Sequence, residues 1–167
     1  MPRDLRISRM LHVLIHMDRH LTLATSEQIA DMISTNPVVV RRIMAGLRDK
    51  GIVTSEKGHG GGWRLARPLA GITLHDVYDA VGRPPLFNIG SDAEPAKCLV
   101  ENAVNTRLES ALRDAEVQLL AQFGAVTVDD IAQDFERGFA ALQQGGKAPC
   151  ANAAHHDAAP AEKPMPR

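Results

Sequence analysis

A chain of 167 residues, 44% hydrophobic but only 4% aromatic, is long enough for one compact domain with appendages, and no stretch approaches the roughly 20 apolar residues that span a bilayer. Its opening, MPRDLRIS, lacks the apolar core of a secretory signal, so the expected location is cytoplasmic, with no membrane partner. The net charge of −1 hides a split: residues 1–67 hold 11 Lys and Arg against 6 Asp and Glu, residues 68–167 hold 8 against 14, and a basic half on an acidic one fits a DNA-facing module better than a small-molecule enzyme.

Residues 4–20 predict a helix, with Leu5, Ile7, Met10, Leu11, Leu14, Ile15 and Met17 on a wide apolar face. His12, His16 and His20 fall one turn apart on the other side, beside Arg9 and Arg19. Histidines at that spacing can chelate a metal, but no carboxylate or thiol joins them, so a polar stripe is expected and no metal site. Thr22 and Leu23 are expected to be extended, pairing loosely with a later hairpin. Thr25 and Gln28 form a capping box for a short helix whose apolar face is Ile29, Ala30, Met32 and Ile33. Ser34, Thr35 and Asn36 break it. Asn36 is a good N-cap and Pro37 suits the first helical position, so a second helix starts abruptly and runs to Lys50, where Gly51 stops it. Two helices joined by so short a turn make a helix-turn-helix, whose second helix can enter a major groove.

On that second helix Val40, Ile43, Met44 and Leu47 face the core at helical spacing, leaving Arg41, Arg42, Arg48 and Lys50 outside. A guanidinium can pair bidentately with guanine or clamp a phosphate; for a lone helix, a solvated charged face is the competing reading. Residues 52–55 and 63–66 predict two strands around KGHGGG, with Lys57, His59 and Arg64 as donors and glycines free to follow a phosphate backbone. A nucleotide-cradling loop would need the G-x-x-x-x-G-K-[ST] spacing and a helix directly after it, and the sequence has neither. Helix, turn, helix and basic hairpin together predict a winged helix.

The run LRDKGIVTSEKGHGGGWRLARPLAGITLHDVYDAV resembles the wing signature of the Rrf-two family of bacterial transcription regulators. The pattern is Gly58, Gly60, Gly61 and Gly62, the aromatic Trp63, then Leu65, Ala66, Arg67 and Pro68, then Ile72 and Thr73 leading a helix. Similarity extends over about residues 4–140. The resemblance implies that Asn36, Val38, Val39, Arg41 and Arg42 face base edges and phosphates of a double-stranded operator, and that Lys57 enters a minor groove. Trp63 stands where the family more often has tyrosine.

After the wing, residues 68–71 turn the chain. Thr73 and Asp76 cap a helix over 74–81 that offers Leu74, Val77, Tyr78 and Val81 to the core, with His75 on the surface. Residues 82–97 read as a loop, the place where the family keeps its sensor chemistry. A long helix over 99–123 repeats Val104, Leu108, Ala111, Leu112, Ala115, Leu119 and Phe123 along one seam, which suits either a core-covering helix or pairing with a second copy; the resemblance implies the homodimer. Thr127 and Asp130 cap a last helix with Ile131, Phe135, Phe139 and Leu142 inward. The Ala/Pro/Gly-rich remainder predicts a disordered tail over 144–167.

Cluster-binding members of the family place three cysteines in the loop before the long helix, whereas here that loop offers Cys98 alone. Ser8 stands where some relatives recruit a carboxylate, and Cys150 lies in the tail. An iron–sulfur cluster needs four ligands, mostly thiolates, so none is expected, and no other cofactor is. Cys98 is either a redox-sensing thiol, its anion favoured by the start of a helix and by Lys97, or a buried structural cysteine. The expected architecture is mainly α with a small β-hairpin wing: a winged helix-turn-helix domain over 1–82, a sensor-region loop over 83–98, a dimerisation helix and C-terminal helix over 99–143, then the tail. The expected function is a homodimeric, sequence-specific DNA-binding transcription regulator, a repressor, redox-responsive through Cys98. The competing readings are a cluster- or ligand-sensing regulator with non-standard ligands, and a protein-binding module without DNA specificity. A thiol enzyme ranks last, because no His/Asp pairing activates Cys98.

Overall fold

The computed structural model describes residues 4–58, 60–89 and 98–144, with side chains as far as residue 140. The expectations for His59, Lys97, the Leu142 side chain and the tail beyond residue 144 lie outside those residues, while Gln144, expected in the tail, closes the last helix. Helix α1, Arg6–His20, buries Met10, Val13, Leu14 and Met17. Val13 was absent from the expected face and Leu5, expected there, is 48% exposed. The stripe 10, 13, 14, 17 is the narrow seam of a 3.6-residue repeat, and Leu5 lies before the helix begins.

Helix α2, Ser26–Met32, starts at the reciprocal Thr25–Gln28 capping box, and α3, Pro37–Asp49, starts at Asn36. The turn between them takes Ser34 through φ 49°, a left-handed value uncommon outside glycine. Helix α3 ends with Lys50 as C-cap and Gly51 at φ 66°. Val40, Met44 and Leu47 are fully buried.

Strands β1, Val53–Glu56, and β2, Gly62–Leu65, pair antiparallel with Val53 opposite Leu65 and Glu56 opposite Gly62. Ala24 rather than Thr22 or Leu23 adds a third backbone segment, exchanging two hydrogen bonds with Trp63 at 2.8 and 2.9 Å. Trp63 seals the base of the wing, and its indole N–H donates to the buried Ser26 hydroxyl at 3.1 Å.

A 3-10 turn over Leu69–Gly71 leads to α4, Leu74–Ala80, opened by the Thr73–Asp76 capping box. Val77 and Tyr78 are buried. Helix α5, Leu99–Ala125, runs 27 residues without one buried side chain; its distal part meets α4, where Phe123 stands edge-on to Tyr78 at 6.2 Å. Helix α6, Val128–Gln144, begins where the Val128 N–H donates to the Ile72 carbonyl at 2.8 Å and Thr127 exchanges hydrogen bonds with Asp130. One compact unit reaches Asp130 and a second begins at Ile131. Within the second, Phe135 and Phe139 lie 5.8 Å apart and Phe135 is 52% exposed, which corrects its expected inward placement.

Candidate nucleic-acid interface

The start of α3 is built by local chemistry. Asn36 Oδ1 accepts the Val38 N–H at 2.8 Å, and Pro37 has no N–H to satisfy. The Asn36 carbonyl already accepts from Val39 and Val40, and the side-chain NH2 is a donor Asn36 has left for a ligand. Val38 is 66% exposed and Val39 36%. Val38 above all leaves apolar surface in water at the tip of a helix; against a duplex the two valines can contact thymine methyl groups.

One turn on, Arg41 and Arg42 are exposed on the side of α3 away from Val40, Met44 and Leu47. Arg41 pairs with Glu27 of α2 at 2.5 Å. Arg42 has no carboxylate partner among the described residues. At the far end Arg48 pairs with Asp49 at 3.0 Å. Lys50 donates to Asp79 of α4 at 3.2 Å, so it ties the two helices together instead of standing out as a further free cation. Asp79 also receives Arg83 at 2.7 Å and faces His75 at 3.7 Å. The Arg83 hydrogen bond, then that of Lys50, holds its carboxyl below the usual carboxylate range against the opposing effect of burial. In the wing Lys57 is exposed, and Arg64 pairs with Glu56 at 2.6 Å.

The glycine run of the wing has two structural reasons besides close approach to a ligand. Gly58 and Gly60 take φ values of 106° and 81°. A side chain at Gly61 would run into the Glu56 carbonyl, and one at Gly62 would stand 2.7 Å from the Ala24 carbonyl oxygen.

Cys98 is the N-cap of α5, exposed, its Sγ accepting the Glu101 N–H at 3.3 Å. That placement differs from the buried alternative. Among the described residues no three His, Cys, Asp or Glu side chains are grouped to hold a metal ion, and residues 90–97 add no cysteine by sequence. Among the described residues, therefore, the thiolate-rich donor set of an iron–sulfur cluster is not met around Cys98. Beyond Cys98, Leu99, Val100, Ala103, Val104 and Arg107 line an open, mostly apolar groove on α5.

Sequence reasoning missed Glu27, Glu56, Asp49 and Asp79 as the carboxylates that hold the basic groups. Asp49 is adjacent to Arg48, but Glu27 lies 14 residues from Arg41 and Asp79 lies 29 from Lys50, where no local periodicity connects them.

The model of the Rrf2 family, described as iron-dependent transcriptional regulators, matches residues 4–134. YwnA of Bacillus subtilis (strain 168), a provisionally assigned HTH-type transcriptional regulator, is 37% identical over 124 residues, which are 70% of this chain and 90% of YwnA. Among solved structures, a provisionally assigned transcriptional regulator from Lactobacillus plantarum superposes with a TM-score of 0.66 at 25% identity, covering 85% of this chain and 97% of that one. IscR of T. potens gives 0.56 at 17% identity over 83% of this chain and 90% of its own, a likeness of fold.

Proposed function

This chain belongs to the Rrf2 family of helix-turn-helix transcription regulators, DNA-binding proteins and not enzymes, and from that premise we propose that it is a cytoplasmic homodimeric repressor of a two-fold-symmetric operator. The observation that carries this reading is the outer face of α3. Exposed Val38, Val39, Arg41 and Arg42 follow a capped helix start, with the basic wing residues Lys57 and Arg64 elsewhere in the same unit. Residues 1–82 read DNA, 83–98 form the sensor region, and α5 pairs two copies through its exposed Leu99, Val100 and Val104. His59 belongs to the same wing by sequence.

Cations on phosphates make such binding steeply salt-dependent, with a slope near −0.9 per contact. Selection of genomic fragments, followed by electrophoretic shift at physiological salt, is expected to return a discrete palindromic site. Equal binding to all fragments overturns the operator reading and favours a protein-binding module. Arg42→Ala is expected to weaken operator binding more than binding to random duplex; equal losses would make it a phosphate clamp. Lys57→Ala is expected chiefly to relax preference for A·T-rich flanks, where the minor groove is narrow.

For sensing, the donor set favours thiol chemistry at Cys98 over a resident cluster or other cofactor. Peroxide would convert the thiolate to a sulfenic acid with release of hydroxide, and a second thiol would then close a disulfide with loss of water. Peroxide is expected to change the DNA affinity of the wild type and not of Cys98→Ser; equal responses rule Cys98 out. Protein purified without oxygen is expected to be colourless and free of stoichiometric iron, and a brown sample would reverse this choice.

A further inference from the structure

Three of the five described cations assigned to the DNA face are already held by a carboxylate: Arg41 by Glu27, Arg48 by Asp49 and Arg64 by Glu56. The Arg41 pair is the one that crosses between the two helices of the helix-turn-helix. Glu27 stands in the first turn of α2 and Arg41 in the second turn of α3, their closest atoms 2.5 Å apart. Both side chains remain more than half exposed, at 60% and 56%, so the pair is wet and exchangeable, worth no more than about fivefold in any equilibrium.

A duplex lying on α3 brings phosphates, one negative charge per about 3.4 Å of strand, toward this pair. A phosphate reaching for Arg41 meets the Glu27 carboxylate as a competitor for the same N–H donors and as a like charge. A guanine edge shares the donors but escapes the like-charge penalty. Its O6 and N7 are uncharged acceptors, and a guanidinium has five N–H groups, enough to hold the carboxylate with one edge and the base with the other. The two kinds of target are thereby separated by charge.

We propose that Glu27 determines specificity at this interface: its carboxylate keeps Arg41 oriented as a base-reading group and opposes its use as a phosphate clamp. This rests on the DNA-binding reading above and adds to it a residue that contacts no base. The cost is some total affinity, and the gain is a larger ratio of operator to random-duplex binding, the quantity that matters in a genome of competing sites.

The test is fluorescence anisotropy of the full-length protein on the selected operator and on a random duplex of about 25 base pairs, titrated between about 50 and 200 mM salt. Glu27→Gln is expected to bind the random duplex about three- to fivefold tighter, with a salt slope steeper by about 0.9, while operator affinity moves by less than about twofold. Asp31→Asn, which removes the same charge from α2 at a side chain paired with no cation among the described residues, is expected to change neither. The gain is expected to vanish in the Glu27→Gln/Arg41→Ala double variant. Arg41→Ala alone, a variant that leaves Glu27 in place, is expected to lose operator affinity with little change on random duplex. Unchanged random-duplex binding in Glu27→Gln, an equal gain in Asp31→Asn, persistence of the gain without Arg41, or parallel losses on both duplexes each overturn the proposal. Wild-type protein that binds no duplex in a salt-dependent way overturns instead the reading beneath it.

Discussion

At Gly62 the wing leaves no room for a side chain, because the Ala24 carbonyl oxygen would sit 2.7 Å from its Cβ. Gly62→Ala is expected to part the Ala24–Trp63 backbone pair and to destabilise the protein by roughly 1–3 kcal/mol, measured by urea unfolding. Gly51→Ala meets open space but must hold φ 66°, so its cost is conformational and is expected to be nearer 1 kcal/mol. A glycine run in a basic hairpin marked the wing in the sequence. Which glycine answers to a backbone angle and which to a neighbouring carbonyl was not legible there, because that neighbour lies 38 positions away in the chain. Trp63 makes the same point. Its role as an aromatic anchor could be read from the motif, while its partner Ser26 could not. Trp63→Phe removes the donor and leaves the Ser26 hydroxyl, 8% exposed, without it; a loss of about 1–2 kcal/mol in unfolding free energy is expected.

Four helix starts were legible to the residue, while the first helix, expected from residue 4, begins at Arg6. Thr25 with Gln28, Thr73 with Asp76, Thr127 with Asp130, and Asn36 before Pro37 all stand where the sequence places them. Capping is chemistry between groups two or three residues apart, so it survives without knowledge of the rest of the fold. Asn36→Ala is expected to cost about 1 kcal/mol and to weaken DNA binding in parallel, since α3 then frays at the end that enters the groove. The tie between α3 and α4 is of the opposite kind. Asp79 takes His75 and Arg83 at the i,i+4 spacing a helix offers, but Lys50 from 29 positions away, where no local pattern links them. Its carboxyl is held below the ordinary aspartate value of 3.8, so the stabilisation it brings is complete above that value and disappears as pH falls through the folded-state pKa. Thermal melts are expected to show wild-type stability dropping below about pH 4, with Asp79→Asn flattening that acid limb. At neutral pH the same substitution is expected to cost less than about 1 kcal/mol, because Lys50 and Arg83 are well exposed and solvent screens them.

For the molecule as a whole, α5 poses the largest question a single chain leaves open. Leu99, Val100 and Val104, which line one groove, are between 58% and 88% exposed on a helix that buries nothing completely. A second copy laid along that row would remove it from water, which is the physical content of the proposed dimer. Val104→Glu is expected to give a monomer in sedimentation and to lower operator affinity by at least about a hundredfold, since each half-site is then bound alone. A Val104→Glu protein that stays dimeric would move the pairing surface elsewhere. Period, caps, turn residues and the sign of each half of the chain were determined by the sequence alone, for they depend on neighbours within a turn or two of helix or on simple sums of charge. Only the tertiary structure decided which carboxylate holds Arg41, which glycine lies under a carbonyl, and that the Cys98 thiol is exposed. Those contacts join residues that the whole set of packed elements brings together, and a short window of sequence carries no record of distance between its ends.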